Sequence, residues 1–284
     1  MKLVKVFGGL GNQLFQLNFA RWLSTKTGCE VRVDLSHYGH TMQHNGFEPG
    51  KVLRIPYAVA SKGDYPISRE LFSNKNLYPF AKRALSLGPV CRERGNEFLE
   101  SETLSAKKNF YIGYWQNVAY FGDRNEYAVA PLEDAENLRL ADAMAGSESV
   151  SLHVRHGDYA ASSTLRIQEE RYYRDAIAYL TERKEGLSFY FFSDDLDWVG
   201  RTFGDVPNRV IVDVNRGQNS YRDLLLMARC KHNVIANSSF SWWAAWLNAN
   251  PDKTVIAPKE WYSKRGIDLG YEAYRMFPKS WVTL

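Results

Sequence analysis

The feature that most constrains the fold is a strand, glycine turn and helix at the very start of the chain. Residues 2–7 form a short apolar run, and the glycine-rich residues 8–12 interrupt it. Apolar side chains then recur at helical spacing over 14–23, and apolar residues alternate over 31–35. The first 35 residues therefore predict a β-α-β unit.

The second half of the chain repeats this alternation more regularly. Strands are predicted at 150–154, 189–192, 210–212, 234–236 and 254–257, the last taken as the final strand, with helices between several of them. Strands that alternate with helices indicate a parallel sheet with crossover helices. The fold class is therefore α/β, with two Rossmann-like domains, 1–147 and 148–284, facing a cleft at the strand ends where such sheets bind ligands.

Charge and composition limit the partners. The formal net charge of +4 suits a phosphorylated substrate or an anionic surface, but it falls short of the basic patches that nucleic-acid binding requires. The three cysteines are far apart and predict neither a disulfide framework nor a CxxC metal site. No apolar run reaches the ~20 residues of a transmembrane helix, and the N-terminal run is too short for a signal peptide, so a cytoplasmic protein is expected.

The glycine turn is the first candidate ligand site. Gly9, Gly11 and Asn12 stand between a strand and a helix N-terminus, where backbone N–H groups attract anions. The segment does not match GxGxxG, because Leu14 occupies the place of the third glycine. The turn is either a ligand loop or a plain tight turn, and its own pattern does not decide between them.

Polar residues at the end of the predicted strand 150–154 form the second site. His153, Arg155, His156 and Asp158 follow one another where an apolar strand should end. A guanidinium matches phosphate oxygens and stays charged, and a leaving nucleoside diphosphate needs such a cation. The alternative is a surface salt bridge between Arg155 and Asp158.

An acidic cluster follows the predicted strand 189–192. Asp194 and Asp195 stand where carboxylates could hold a metal, a ribose or a guanine edge, and Asp195 with Asp197 formally reads as a DxD metal motif. Ser and Asp are also common helix caps, so capping is the alternative. DxD triplets arise often by chance, and capping is the favoured interpretation.

Hydroxyl residues crowd the end of the strand predicted at 234–236. Side-chain hydroxyls and free N–H groups at a helix start can bind phosphate, and simple capping is the alternative. The candidate donor-binding residues here are Asn237, Ser238, Ser239, Phe240 and Ser241.

Histidines on a polar loop offer the only other metal candidate. His37, His40 and His44 are spaced three and four apart, but no cysteine supports them. No metal site is therefore expected.

Together these segments resemble the bacterial α-1,2-fucosyltransferase family, over most of the chain. The motifs that carry the resemblance are 8–16, 44–48, 113–116, 153–159, 192–195 and 237–243. The family usually has two arginines after its His-Val pair, whereas here His156 follows Arg155. The resemblance implies a GT-B fold with an acceptor-binding N-terminal domain and a GDP-sugar-binding C-terminal domain. The last helix of the chain can pack back on the N-terminal domain.

The same resemblance implies the reaction. GDP-β-L-fucose would be the donor, a terminal galactose in an oligosaccharide the acceptor, and an α-1,2 linkage formed with inversion the product, without a cofactor or obligatory metal. The implied catalytic residues are Arg155, Asp158 and Asn12. The acidic pair Asp194 and Asp195 would read guanine, as in the wider group. The implied donor-binding residues are Gly9, Gly11, Asn12, His153, Arg155, Asp194, Asp195, Asn237, Ser238, Ser239, Phe240 and Ser241.

The acceptor residues predicted from the matching motifs are His44, Glu48, Tyr114 and Trp115, the two aromatic rings as stacking surfaces for the sugar. The base that removes the acceptor proton is left open among Asp158, His44, Glu48 and the departing phosphate.

Three other functions compete with this interpretation. An α-1,6-fucosyltransferase of related fold would share the donor motifs, a Rossmann oxidoreductase would need GxGxxG, and a non-catalytic binding protein would bind without turnover. Peripheral membrane contact is a further option, through the basic segment that contains Lys75, Lys82, Arg83, Arg92 and Arg94, although a solvated face is the simpler explanation.

Overall fold

The computed structural model describes residues 1–39, 44–64, 89–122, 127–156 and 163–284. They form two compact units, of which the first comprises 1–48 and 55–122 and the second 49–54 and 123–284. Both are parallel α/β units, as predicted. No helix in the described ranges is long and apolar enough to cross a membrane.

The first unit is built on a five-stranded parallel sheet in the order β3-β2-β1-β5-β4. Its strands are β1 (Lys2–Lys5), β2 (Val31–Asp34), β3 (Ala58–Val59), β4 (Val90–Arg92) and β5 (Phe110–Ile112). The chain runs outward from β1 to β3 and returns on the other side through β4 and β5. The order therefore reverses between β1 and β5, which is where open α/β sheets bind ligands.

Helix α1 (Leu10–Thr27) connects β1 to β2 and contributes a set of buried apolar side chains to the core of this unit. Phe15, Phe19 and Leu23 are fully buried, and the helix ends where Gly28 adopts a left-handed conformation with φ of 64°. The unit also contains the short helix α2 (Glu100–Thr103) and 3-10 turns at 36–39, 62–64 and 118–120.

The second unit holds a six-stranded parallel sheet in the order β11-β10-β9-β6-β7-β8. Its strands are β6 (Glu148–Val154), β7 (Leu187–Ser193), β8 (Arg209–Ile211), β9 (His232–Val234), β10 (Val255–Ala257) and β11 (Val282–Thr283). Its helices are α3 (Ala135–Ala145), α4 (Glu170–Thr181), α5 (Leu196–Thr202), α6 (Tyr221–Met227), α7 (Ser239–Leu247) and α8 (Lys264–Asp268). Short 3-10 turns lie at 49–51, 217–219 and 273–275. Strand order reverses between β6 and β9.

Paired central strands carry the core of the second unit. β6 and β7 pair over seven residues, from Glu148 opposite Leu187 to Val154 opposite Ser193. Their alternate apolar side chains pack with α4 and α5 in one buried cluster that includes Leu152, Phe191 and Phe203. A rigid pair of strands thus presents its two carboxyl ends side by side.

Two sequence-based boundaries were wrong. The strand at 254–257 is not the last, because β11 pairs with β10 in parallel at Ile256–Val282. The sequence pattern over 131–145 also predicts a helix with proline at its start. The helix begins only at Ala135, because the Asp134 side chain accepts the Asn137 N–H at 2.9 Å and caps it there. Pro131 therefore precedes the helix.

Candidate active site

Arg155 and Asp194 meet at the carboxyl ends of β6 and β7. Arg155 Nε lies 3.2 Å from Asp194 Oδ2, and Asp194 Oδ1 accepts the His156 N–H at 2.9 Å. The pairing follows from the fold, since Val154 and Ser193 are register partners and the next residues leave adjacent strands together. Asp194 therefore engages the two residues that follow β6.

His156, which stands where the second arginine of the motif is usual, has a defined environment. Its ring stacks on Trp198 at 4.6 Å with an interplanar angle of 14°, and its Nδ1 lies 3.1 Å from Asp195 Oδ2. The imidazole therefore connects the end of β6 to the first turn of α5 through these two contacts.

Asp195 is a helix cap. Its Oδ1 accepts the Trp198 N–H at 3.0 Å at the start of α5. Two contacts hold the pKa of Asp195 below its usual range. The larger effect comes from the Trp198 N–H hydrogen bond and the smaller from the contact with His156. Asp197 lies in the first turn of the same helix. Of the two interpretations of this acidic cluster, helix capping is therefore the one that applies to Asp195.

The residues that follow β9 lie next to the end of β6, where the strand order reverses. Asn237 donates through Nδ2 to the carbonyls of Arg166 and, at 3.1 Å, Trp261. Ser238 caps α7 by accepting the Phe240 N–H at 3.3 Å, and the Ser241 hydroxyl donates back to the Ser238 carbonyl. The side chains of Ser238 and Ser241 thus make hydrogen bonds within the helix start. Ser239 at the same helix start is half-buried.

Two buried polar atoms at the same place make no hydrogen bond within the described part of the chain. They are His153 Nδ1 and Asn237 Oδ1, at the ends of the neighbouring strands β6 and β9. Burial, and then the positive charge of Arg155, lower the pKa of His153 to about 3, so its imidazole is neutral. Buried polar groups are normally satisfied, so two unsatisfied ones at a strand-order reversal indicate a place for a polar ligand.

Asp158, a predicted catalytic residue, lies outside the described residues, as does His40 of the histidine loop. Among the residues that are described, no three His, Cys, Asp or Glu side chains converge as metal ligands would. The roles predicted for Asp158 remain predictions.

In the first unit, the glycine turn places Asn12 beside the end of β5. Gly8 has φ of 82°, and a Cβ added to it would lie 2.9 Å from Asn12 Nδ2, so a side chain there would strain the backbone and displace Asn12. Asn12 Oδ1 accepts Gln116 Nε2 at 2.8 Å. Gly9 is the N-cap of α1, and neither a side-chain cap nor an acidic residue occupies the first turn of that helix.

Two glutamines that the sequence analysis left unassigned hold this site together. Gln13 and Gln16 are 0% exposed on α1. Gln13 donates to the Gly46 carbonyl at 2.7 Å and accepts the Glu48 N–H at 2.9 Å, whereas Gln16 donates to the Gly113 carbonyl at 3.0 Å. The available signal was a polar pair within an otherwise apolar helical stripe.

The predicted acceptor residues gather around the same turn. The His44 ring lies over Gly9, since a Cβ there would be 3.5 Å from it, and Glu48 is buried. Tyr114 is half-buried, with its ring 4.9 Å from that of Phe7. Trp115 is 2% exposed, and Phe19 stacks on its ring at 3.9 Å, so the face needed for sugar stacking is covered.

Comparison with known proteins gives one family match. Residues 92–284 match the model of glycosyl transferase family 11. An alpha-1,2-colitosyltransferase of Escherichia coli is 33% identical and covers 99% of this chain and 98% of its own length. The galactoside 2-alpha-L-fucosyltransferase SEC1 of Bos taurus is 30% identical over 40% of this chain and 33% of its own.

A solved structure shows the same fold. The fucosyltransferase NodZ from Bradyrhizobium superposes with a TM-score of 0.51 at 15% identity, covering 85% of this chain and 91% of its own. At that identity the likeness concerns the fold alone. Together with the two parallel sheets, it confirms the predicted GT-B class.

Proposed function

This chain belongs to glycosyl transferase family 11, and on that premise we propose that it transfers L-fucose from GDP-β-L-fucose to the 2-hydroxyl of a terminal galactose, with inversion to an α-1,2 linkage. The α-1,2 linkage is supported by both relatives, an alpha-1,2-colitosyltransferase and a galactoside 2-alpha-L-fucosyltransferase. The α-1,6 alternative has only the distant fold likeness to NodZ behind it.

The observation that carries the proposal is Arg155 at the strand-order reversal of the second unit. In the transfer, the bond between C1 of fucose and the β-phosphate oxygen breaks, and its electrons pass to the diphosphate. The acceptor oxygen bonds to C1 from the opposite face and gives its proton to a base, for which Asp158, His44, Glu48 and the departing phosphate are the candidates. Arg155, with the N-terminus of α7 one strand away, is suited to the charge that develops on the diphosphate.

Asp194 keeps this cation in place before the donor binds. A guanidinium has five N–H donors, and the contact of its Nε with Asp194 fixes the plane of the group. Preorganised donors of this kind need no rearrangement when charge develops in the transition state. His153 and Asn237 offer the donor a neutral, buried polar lining.

A second candidate is the transfer of colitose, which the name of the relative at 33% identity favours. Colitose is L-fucose without the 3-hydroxyl group. A site that hydrogen-bonds that hydroxyl rejects the deoxy sugar strongly, because its polar groups would be left unpaired. Competition between the two GDP sugars for the same enzyme therefore decides between the candidates.

Metal independence belongs to the proposal. The Asp195 carboxylate already caps α5 and contacts His156, and Arg155 supplies the positive charge that a metal would otherwise bring. A cytoplasmic location is part of the same proposal. Contact of the basic segment around Arg92 and Arg94 with an anionic membrane stays an alternative to a solvated face. Lys75, Lys82 and Arg83 of that segment lie outside the described residues.

The test is to incubate the purified protein with GDP-fucose, a galactose-terminated disaccharide and EDTA, and to follow GDP release and the product linkage by NMR. GDP release that requires the acceptor, persists in EDTA and yields an α-1,2 linkage supports the proposal. An α-1,6 product, or GDP release only after a divalent cation is added, contradicts the corresponding part of it. Preference for GDP-colitose selects the second candidate.

A further inference from the structure

Glu93 lies at the carboxyl end of β4, beside the turn that carries the predicted acceptor residues. Its backbone N–H donates to the Ile112 carbonyl at 3.0 Å and continues the pairing of β4 with β5. Its side chain turns back over the residues that follow β5, and one carboxylate oxygen accepts the Tyr114 N–H at 2.6 Å. None of the motifs in the sequence includes this residue.

The carboxylate fits closely into this turn. A Cβ added to Gly113 would lie 2.4 Å from Glu93 Cβ and 2.8 Å from its Oε2, so glycine is required there. Trp115 adopts a left-handed φ of 58°, a conformation rare for a large side chain, and its stacking on Phe19 holds it there. Together these two features curl the backbone around the Glu93 carboxylate.

The charge of Glu93 is enclosed although the residue as a whole is half-buried. Oε1 is buried and has no hydrogen-bond partner in the described part of the chain. Burial raises the pKa of Glu93 to about 7, while the backbone N–H groups of Trp115, Tyr114 and Gln116 act in the opposite direction. The Tyr114 N–H donates the hydrogen bond to this carboxylate, and the next two N–H groups add positive potential around it.

This turn is also tied to the glycine loop. Gln116 donates through Nε2 to Asn12 Oδ1 at 2.8 Å, and Gln16 donates to the Gly113 carbonyl at 3.0 Å. The position of the Asn12 side chain thus depends on the Gln116 amide, whose backbone is among the groups facing Glu93. Glu93, which belongs to none of the sequence motifs, is thus linked to the predicted catalytic residue Asn12 through the turn that contains Gln116.

We propose that Glu93 is a positioning residue, whose carboxylate fixes the Tyr114–Gln116 backbone and thereby sets the Gln116 amide against Asn12. The geometry stands by itself, whereas the catalytic consequence rests on the proposed function. A glutamine at this position keeps one oxygen that can accept the Tyr114 N–H, but it replaces the other carboxylate oxygen by an N–H₂ group and removes the negative charge that faces the backbone N–H groups. It would therefore loosen the turn without creating a cavity.

The first test compares Glu93→Gln with Glu97→Gln, which alters an exposed carboxylate on the same segment. For Glu93→Gln we expect kcat to fall about tenfold or more while KM for GDP-fucose stays within about twofold, because Arg155 and Asp194, on which the proposed diphosphate site depends, lie in the second unit. Glu97→Gln should match the wild type. Wild-type kcat in Glu93→Gln would overturn the proposal.

A double-mutant cycle with Gln116→Ala tests whether Glu93 acts through the Gln116 amide. Once Gln116 has lost its amide, Glu93→Gln should cause little further loss of kcat, so the combined effect is smaller than the sum of the two. Additive effects would contradict the route through Gln116. A purely structural role would lower thermal stability without this coupling.

Amide hydrogen exchange separates failure of this inference from failure of the proposed function. The Tyr114, Trp115 and Gln116 amides should be protected in the wild type and exchange about tenfold or more faster in Glu93→Gln, with Glu97→Gln unchanged. This readout needs no substrate. Unchanged exchange in Glu93→Gln overturns the inference even if the wild type is a fucosyltransferase, and faster exchange supports the geometry even if it is not.

Discussion

Arg155 and Asp194 form an ion pair across the ends of two adjacent strands, with Nε and Oδ2 3.2 Å apart. The other oxygen of Asp194 accepts the His156 N–H at 2.9 Å. One carboxylate from β7 thus orients both residues that leave β6. Asp194 thus holds Arg155, the cation proposed to contact the diphosphate, but takes no part itself in bond breaking or bond formation.

Replacing Asp194 by asparagine should lower kcat by about tenfold or more. Asparagine retains an oxygen for the His156 N–H but no longer carries the charge that fixes Arg155. Initial rates at saturating GDP-fucose measure the effect, with Asp197→Asn in the first turn of α5 as the control. A rise in KM alone, with kcat unchanged, would show that Asp194 binds the donor without orienting Arg155.

Restoring the usual second arginine should strengthen donor binding. In His156→Arg the guanidinium can stack on Trp198 and pair with Asp195, as the imidazole does, and it adds a permanent charge next to Arg155. We expect KM for GDP-fucose to fall by about threefold or more, and His156→Ala to raise it. An unchanged or higher KM in His156→Arg would show that Arg155 alone supplies the charge that the donor uses.

Gly8→Ala and Gly28→Ala form a matched pair. Both glycines have left-handed φ angles, 82° and 64°, so each substitution should cost about 1–2 kcal/mol of stability. Only a Cβ on Gly8 meets another group, Asn12 Nδ2 at 2.9 Å, whereas nothing lies within 4 Å of one on Gly28. Thermal melts should therefore shift alike while kcat falls only in Gly8→Ala. Equal activities would remove Asn12 from the catalytic account.

The positions of these glycines and of the central strands could be predicted from sequence, because buried strands are apolar runs and glycine turns interrupt them. The strands β3 and β11 could not, since two residues carry no periodicity, and β4 was not predicted either. The role of Glu93 follows from the pairing of β4 with β5, which local sequence does not encode. The covered face of Trp115 depends likewise on Phe19.

The residues of the candidate donor site could be identified from the sequence in part. Arg155, Asp194 and Asn237 were identified because polar residues at the end of apolar strands need a reason. That Arg155 pairs with Asp194 follows only from the adjacency of β6 and β7, and the sequence analysis had instead considered Asp158 as its partner. Strand order, rather than local pattern, decided this contact.

Asp223 should make stability depend on pH. Burial raises the pKa of Asp223 to about 7, while Asn215 Nδ2 donates to its carboxylate at 2.8 Å. Because the folded state holds this proton more tightly than the unfolded chain, stability is lost as pH rises from about 4 to about 7, by at most ~4 kcal/mol. Asp223→Asn should thus be more stable than the wild type at pH 8 and similar at pH 4.

Urea unfolding at the two pH values measures this difference, with Asp175→Asn on the exposed side of α4 as the control. Other titrating groups contribute equally to the variant and the wild type, so the comparison isolates Asp223. A wild type that is as stable as Asp223→Asn at pH 8 would show that the carboxyl ionises in the folded protein at little cost.

The measurement that tests the central claim most directly is acceptor-dependent GDP release in EDTA by Arg155→Ala, beside Arg171→Ala on the exposed surface of α4. If Arg155 carries the charge of the departing diphosphate, kcat should fall by about 10²–10³ or more in Arg155→Ala and stay at the wild-type value in Arg171→Ala. Turnover by Arg155→Ala within about threefold of the wild type would contradict the assignment of the donor diphosphate to this site.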